Sequence, residues 1–546
     1  MSSGRFVTPT PVNENVKEYR PNSEEKRLLK RELARQAGSE VDLPLIIGGR
    51  EIRSRKQVPL TCPHRHAKVL GVYHAAGREE AEQAVQAALE AKGSWERMPW
   101  EDRAAVFLKA ADLLAGPYRY VMNAATMLGQ SKTVYQAEID AVCELTDYLR
   151  FNVSYVNKIY AEQPDVNPAR NWSRLEYRPL DGFVFAVAPF NFTSIAANLP
   201  TAPAMMGNTV VWKPASAAVL SAHYFMRILL EAGLPDGVIN MVPGRGAEVA
   251  DPVVDHRDLA GVHFTGSTAT FTNIWHRVGE NLRKGGYRNF PRLVGETGGK
   301  DFVLAAPDAD PEALCVALFR GAYEYQGQKC SAASRAYIPR SLWPDVKRRL
   351  SAMAGGVRTG DVADFRVFMG AVIEREAFER IANYIEYARR SEEASVVIGG
   401  GHDDAVGYFI EPTVIETANP KFRGMVEEIF GPVLTVYVYE DNLFEETLAL
   451  VDQTSPYALT GAVFAKDRAL IRTALERLLH AAGNIYINDK PTGAVVGQQP
   501  FGGGRLSGTN DKAGGYLNLL RWTSPRAVKE NFLPPKDIAY PHMSEE

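Results

Sequence analysis

Cys330 stands in Gly327-Gln-Lys-Cys330-Ser-Ala-Ala-Ser-Arg335, ahead of Ala336-Tyr-Ile338, which reads as the start of a strand. A cysteine attacks as its thiolate, in a partly exposed, electropositive pocket, and the adjacent Lys329 is expected to favour that form. Taken alone, a free cysteine is more often a small buried hydrophobe. Glu296, among glycines in Leu293-Val-Gly-Glu296-Thr-Gly-Gly-Lys300-Asp, is either a turn residue or a general base beside backbone free to change shape. Gly266-Ser267 precede a helix expected over 268–275. Such a position offers free N–H groups and a hydroxyl to an anion, or simply an N-cap. Glu144 falls in a helix expected over 129–152, on one face with Asp140 and Asp147. A solvated acidic face is the simple reading of those three.

These residues need elements to hold them. From Gly182 onward the pattern alternates: strands over 183–188, 209–212, 238–242 and 261–264, with helices between, including 217–232. Strands separated by helices of that length mean βαβ units on a parallel sheet, with ligands at the strands' carboxyl ends. Those ends carry Pro189-Phe-Asn191, Lys213-Pro-Ala215, Pro243-Gly-Arg-Gly246 and Thr265-Gly-Ser267, polar or glycine-rich in each case. A dinucleotide is the usual guest. Gly244-x-Gly246 lacks the third glycine of the common fingerprint, so that motif alone says little.

Upstream, 24–35 reads as an exposed helix and Leu45–Ile52 as a hairpin. Helices are expected over 81–91 and 101–114, the second burying Val106, Ala110, Leu113 and Leu114. Downstream come a helix over 311–321 and two loops, Glu427–Pro432 and Pro500–Gly508, where Gly and Pro interrupt apolar runs.

Composition narrows the classes. With 546 residues the chain exceeds what one core supports, so two or three domains are expected. A 45% hydrophobic and 23% charged content is that of a soluble globular enzyme. A net charge of −3 supplies no basic field for nucleic acid or anionic membrane. Four scattered cysteines without a CxxC pair argue for a reducing compartment and against a cysteine-held metal. No apolar run is long enough for a membrane span, and residues 1–20 lack a signal core.

The ordered set Pro189-Phe-Asn191, Lys213-Pro, Phe264-Thr-Gly-Ser267, Glu296-x-Gly-Gly-Lys300, Gly327-Gln-x-Cys330 and Glu428-x-Phe430-Gly-Pro432 resembles the aldehyde dehydrogenase superfamily over roughly residues 45–530. Ala188-Pro-Phe-Asn-Phe-Thr193, Gln328-Lys-Cys-Ser331, Val496-Gly-Gln-Gln-Pro-Phe-Gly-Gly-Gly504 and Ser507-Gly-Thr-Asn510 are similar to the branch that oxidises L-glutamate γ-semialdehyde in proline catabolism.

The resemblance implies an α/β fold: a Rossmann-type parallel-sheet cofactor domain (1–154 and 178–297), an α/β catalytic domain (298–509), and an oligomerisation flap with the C-terminal tail (155–177 and 510–546). It implies Cys330 as nucleophile, Asn191 and the Cys330 N–H as oxyanion donors, and Glu296 as the base for thioester hydrolysis. For the cofactor it implies Ala188 through its backbone, Lys213 and Glu428 at the riboses, Gly266, Ser267, Thr268, Ala269 and Thr270 at the pyrophosphate, and Phe430 beside the nicotinamide. NAD is expected. NADP is not barred, because Ser216 stands where many NAD-selective relatives carry a glutamate. For an amino-aldehyde substrate it implies Glu144 at the ammonium, Phe192 and Phe501 along the aliphatic chain, and Ser331 with Gly493 and Ala494 at the carboxylate. Ala494 brings no side-chain donor. A homodimer or larger homo-oligomer is expected, with possible coupling to proline dehydrogenase, in the cytoplasm of a bacterium or the mitochondrial matrix of a eukaryote. No metal is implied.

Overall fold

The computed structural model describes Gly4 and residues 6–544. Two seven-stranded sheets organise it. The first runs, in spatial order, Arg292–Glu296, Leu259–Thr265, Phe183–Val187, Thr209–Lys213, Ile239–Met241, Leu45–Ile47 and Arg50–Ile52. The five strands from Arg292–Glu296 to Ile239–Met241 are parallel, and the hairpin Leu45–Ile52 closes the edge antiparallel. Phe183-Val-Phe-Ala and Thr209-Val-Val-Trp are buried on both faces, the signature of a sheet covered by helices on either side. The second sheet runs Ala394–Ile398, Thr413–Thr417, Val433–Tyr439, Ala333–Pro339, Asp301–Ala305, Thr460–Phe464 and Asn484–Ile487, parallel except at its first pair. Separate clusters of apolar side chains pack each sheet.

The structure departs from the sequence reading in several places. The helix expected over 129–152 is broken at residues 131–133 and carries a π-helical turn beyond the break. Arg119–Gln130 ends at Ser131, whose left-handed φ of 57° stops the hydrogen-bond ladder. The chain restarts at Val134–Ala137, passes through a π-helical turn, Glu138–Glu144, and continues as Leu145–Ala161. The acidic face is not solvated: Glu144 lines an internal cavity, and the neighbouring carboxylates are paired. Glu138 meets Arg119, Asp140 meets Lys132 at 2.6 Å, and Asp147 accepts from Asn13 at 2.7 Å. The helix Glu24–Ala37 is exposed on one side only, since Leu29 and Leu33 pack inward. In Trp100–Ala115 the buried stripe is Ala104, Phe107, Ala110, Ala111 and Leu114, while Val106 and Leu113 sit at its rim.

Asn171–Arg178 pairs antiparallel with Ser524–Asn531 along eight residue pairs, forming a two-stranded ribbon. Residues 155–161 belong to the preceding helix instead, because no proline interrupts the chain before Pro164. No helix among the described residues is long and apolar enough to cross a membrane.

Candidate active site

Cys330 follows a distorted turn, Glu324–Gly327, and precedes the strand Ala333–Pro339. Tyr325, Gln326 and Gly327 have φ of 52°, 56° and 65°, three consecutive left-handed residues, of which only glycine adopts that conformation easily. Hydrogen bonds over-determine the turn. Gln326 Nε2 donates to the carbonyls of Ser131 (3.0 Å) and Ala371 (2.6 Å), and its Oε1 accepts from Gly370 N–H at 3.1 Å. Gln328 Oε1 accepts from Ile373 N–H at 3.0 Å. Asn191 Nδ2 donates to the Gln328 carbonyl at 3.0 Å, placing that amide against the turn that leads to Cys330 with a second proton still to give.

The thiol is not held in an electropositive pocket. Burial pushes it well above its ordinary range, and Asp301, Glu428 and Glu296 add to the shift. Lys329 does not offset this, because its ammonium is itself buried and paired with Glu324 at 3.4 Å.

Two spaces open onto Cys330. The larger, about 380 Å³, is lined by Glu144, Phe192, Ser331, Gly493, Ala494 and Phe501, among others. All six residues expected to hold substrate therefore face one cavity with the thiol. Burial lifts the Glu144 carboxyl to about 8, with repulsion from Asp140 adding to it and Lys132 opposing it. The smaller space, about 20 Å³, lies among Glu296, Thr297, Cys330 and Phe501. That is room for one water.

Glu296 ends the strand Arg292–Glu296, and its backbone is fixed rather than free. Its carbonyl accepts from Gly266 N–H at 3.2 Å, and a bridge joins it to Gly508. Its side-chain Oε2 is buried without a partner. Burial raises this carboxyl well above its usual range and Asp511 adds to the shift, against the lowering by Gly503 N–H and Lys512.

Of the residues expected at the cofactor, Ala188, Lys213 and Gly266–Thr270 lie along the carboxyl edge of the first sheet, while Glu428 and Phe430 come from the segment before Val433–Tyr439 of the second. Lys213 ends Thr209–Lys213, and its carbonyl accepts from Ala188 N–H at 3.0 Å. Burial alone pulls its ammonium down to about 8. Ser267 caps the helix Thr268–Arg283, its Oγ accepting from Thr270 N–H at 3.2 Å, with Ser267, Ala269 and Thr270 exposed. Thr268 Oγ1 accepts from Gly298 N–H at 3.3 Å, and Glu428 accepts from Gly299 N–H at 2.9 Å, so one Gly-Gly link joins two halves of this edge. Phe430, at φ 57°, meets Phe190 edge-on at 5.9 Å. Next to Glu428, Lys300 Nζ is buried without a partner and lowered to about 7. The buried Lys213 ammonium and an open helix N-terminus on the same sheet edge suit an anionic ligand. No group of three or more residues suited to a metal occurs among the described residues.

Sequence reasoning missed three contributors. Thr492 Oγ1 lies 2.8 Å from Ser331 Oγ, supplying at the neighbouring position the hydroxyl that Ala494 lacks. Lys132, fully buried, pairs with Asp140 while lying over the rings of Phe192 (4.1 Å) and Tyr325 (4.4 Å). Asp140 in turn accepts from the N–H groups of Thr193 and Ser194, both at 2.9 Å, fixing the segment that carries Asn191 and Phe192. Asn13 lines the cavity from the far N-terminal side. The hydroxyl next to Gly493 was a usable signal for Thr492. Nothing local marks Lys132 or Asn13.

Residues 51–528 match the family model described as the aldehyde dehydrogenase family. A mitochondrial delta-1-pyrroline-5-carboxylate dehydrogenase of Dictyostelium discoideum is 53% identical over 540 residues, covering 99% of this chain and 97% of that relative. The human mitochondrial protein of that name is 46% identical, covering 97% and 94%. Among solved structures, the Delta-pyrroline-5-carboxylate dehydrogenase of Mycobacterium tuberculosis bound with NAD superposes with a TM-score of 0.96 at 53% identity, over the whole of both chains. Proline utilization A of Bdellovibrio bacteriovorus superposes at 0.89 and 31% identity, over 93% of this chain and 52% of that one. With the Cys330 thiol, the Glu296 carboxyl and the Asn191 amide arranged as described, the chain belongs to the aldehyde dehydrogenase family.

Proposed function

We propose that this chain oxidises L-glutamate γ-semialdehyde, the open form of Δ1-pyrroline-5-carboxylate, to L-glutamate, with NAD as acceptor. The observation that carries the reading is the single cavity of about 380 Å³ with a thiol, a buried carboxylate and a cluster of hydroxyl and N–H donors on its wall. An α-amino acid bearing an aldehyde presents complementary groups in the same number. The names of the relatives and the NAD bound by the mycobacterial neighbour support it.

Ser331, Thr492 and the N–H groups of Gly493 and Ala494 would take the α-carboxylate, and Glu144 the ammonium. Phe192 and Phe501 would flank the methylenes. Cys330, its proton passing to solvent, adds to the aldehyde carbon as a thiohemiacetal. Asn191 Nδ2 and the Cys330 N–H stabilise the oxyanion. Lys213, Glu428, Phe430 and the helix start at Gly266–Thr270 would hold NAD, which when bound supplies the acceptor of the aldehyde's hydride. Glu296 then removes a proton from water in the adjoining 20 Å³ space, and that hydroxide releases glutamate from the thioester. A carboxyl whose proton affinity is raised suits this exchange.

The first sheet is the cofactor domain in this reading and the second carries the nucleophile. The exposed ribbon Asn171–Arg178 with Ser524–Asn531 presents strand edges to a second copy. The likeness to proline utilization A supports coupling to a proline-oxidising partner. NADH formation is to be measured with glutamate, succinate and unsubstituted aldehydes, using wild type and Cys330→Ala. Preference for the amino substrate, abolished by the substitution, is expected; preference for succinate semialdehyde would overturn the assignment.

A further inference from the structure

Residues 13–19 stand far from the motifs in sequence, yet they return to the active cavity, where Asn13, Glu14 and Val16 form part of its wall. The segment is firmly pinned. Glu14 N–H donates to Asp147 Oδ1 at 2.7 Å, while its carboxylate accepts from Arg119 and Arg150, each at 2.8 Å. Lys17 N–H and Tyr19 O–H donate to Glu138 at 2.9 and 2.7 Å. Asn13 uses both ends of its amide. Its Nδ2 donates to Asp147 Oδ2 at 2.7 Å and to the Val496 carbonyl at 2.8 Å, and its Oδ1 accepts from Gln498 Nε2 at 3.1 Å.

Those partners stand on two different walls. Asp147 lies one helical turn beyond Glu144. Val496 and Gln498 follow directly on the loop Gly493-Ala494. That loop turns through left-handed glycines at both ends, Gly493 at φ 100° and Gly497 at φ 84°. Gln498 and Gln499 N–H donate to the Val495 carbonyl at 3.0 Å and Val495 N–H donates to Gln499 Oε1 at 3.0 Å, bonds that hold the segment's own shape but not its distance from the Glu144 helix. Asn13 is the side chain that spans the gap.

We propose that Asn13 is a positioning residue that fixes the span between Glu144 and the Gly493-Ala494 loop, and so selects amino-aldehydes whose ammonium and carboxylate fit that span. This rests on the reaction assigned above. An asparagine meets the need where most side chains fail, because it offers two donors to a carboxylate and a carbonyl, and an acceptor to a glutamine amide.

The test uses the full chain with Asn13→Ala, Asn13→Asp and Gln498→Ala, assayed on glutamate semialdehyde and on propanal. Asn13→Ala should raise KM for glutamate semialdehyde roughly tenfold, the loss of a charge-assisted bond, with kcat, the KM for NAD and propanal kinetics within about twofold. Asn13→Asp should be worse, since its carboxylate would face Asp147 and a carbonyl. Gln498→Ala, which leaves the Asp147 contact intact, should move KM the same way by less, and answers the question if either Asn13 variant fails to fold. Equal losses on both aldehydes, or an unchanged KM for glutamate semialdehyde, would overturn the proposal. A wild-type chain inactive on glutamate semialdehyde but active on propanal would instead defeat the reaction assignment, and the proposal would fall with it.

Discussion

Glu144→Gln isolates the recognition of the ammonium. The substitution keeps the side chain's volume and removes its charge. Burial and Asp140 outweigh the pull of Lys132 and push the Glu144 carboxyl up to about 8. Removing one partner of a buried charge pair costs about 3–5 kcal/mol. Near pH 7 the wild type must first ionise a group that is roughly nine-tenths protonated, which offsets about 1.4 kcal/mol. The remainder, roughly 2–3.5 kcal/mol, corresponds to a ~30- to 400-fold loss of kcat/KM on glutamate semialdehyde. The sign of the pH dependence follows. Below pH 8 the wild type's advantage shrinks about tenfold per pH unit as Glu144 takes up its proton, and above 8 it levels. The substrate's own titration is common to both enzymes and cancels in their ratio. Steady-state NADH formation from pH 6 to 9 gives that ratio directly. A flat ratio, or an equal loss on succinate semialdehyde, would refute the role of Glu144.

Other substitutions address the remaining groups. Glu296→Gln should leave one rapid turnover of NADH per site followed by steady release slowed about 10²- to 10⁴-fold, seen by stopped-flow absorbance; an unchanged steady rate would remove Glu296 from hydrolysis. Asn191→Ala should lower kcat about 10²- to 10³-fold at little cost in KM, as expected of an oxyanion donor. Thr492→Val, nearly isosteric, should raise KM for glutamate semialdehyde but not for propanal, because only the former carries a carboxylate for the Ser331–Thr492 pair. Since burial and three carboxylates hold the Cys330 thiol high, alkylation of the free enzyme by iodoacetamide should accelerate steadily as pH rises through and beyond the ordinary thiol range. A plateau near neutrality would contradict that electrostatic picture.

The βαβ alternation was legible because parallel strands buried on both faces read as continuous apolar runs, and Thr209-Val-Val-Trp could hardly be anything else. Cys330 and Glu296 each had a plain alternative when read locally, and their roles, like that of Asn191, came from the ordered set of motifs that resembles the aldehyde dehydrogenase superfamily. The acidic residues of 138–147 misled for a related reason. Charge spacing on a helix indicates which side chains share a face, not what that face meets, and the partners here are Arg119, Lys132 and Asn13, drawn from other segments. A π-helical turn also defeats the 3.6-residue period on which such a reading depends. The electropositive pocket expected from Lys329 failed because adjacency in sequence left the lysine facing Glu324.

The left-handed turn at Tyr325–Gly327 bears on what this protein can become. Each non-glycine residue in that conformation carries about 1–3 kcal/mol of conformational strain, maintained here by Ser131, Gly370, Ala371 and Ile373. Stability and turnover are therefore in competition at one spot. Selection for heat resistance alone would favour relaxing the turn, and relaxing it would let the sulfur drift from the carbonyl it must reach. A thermostable variant that keeps its rate has to gain its stability elsewhere, in the helices and sheet edges that leave those three residues bent.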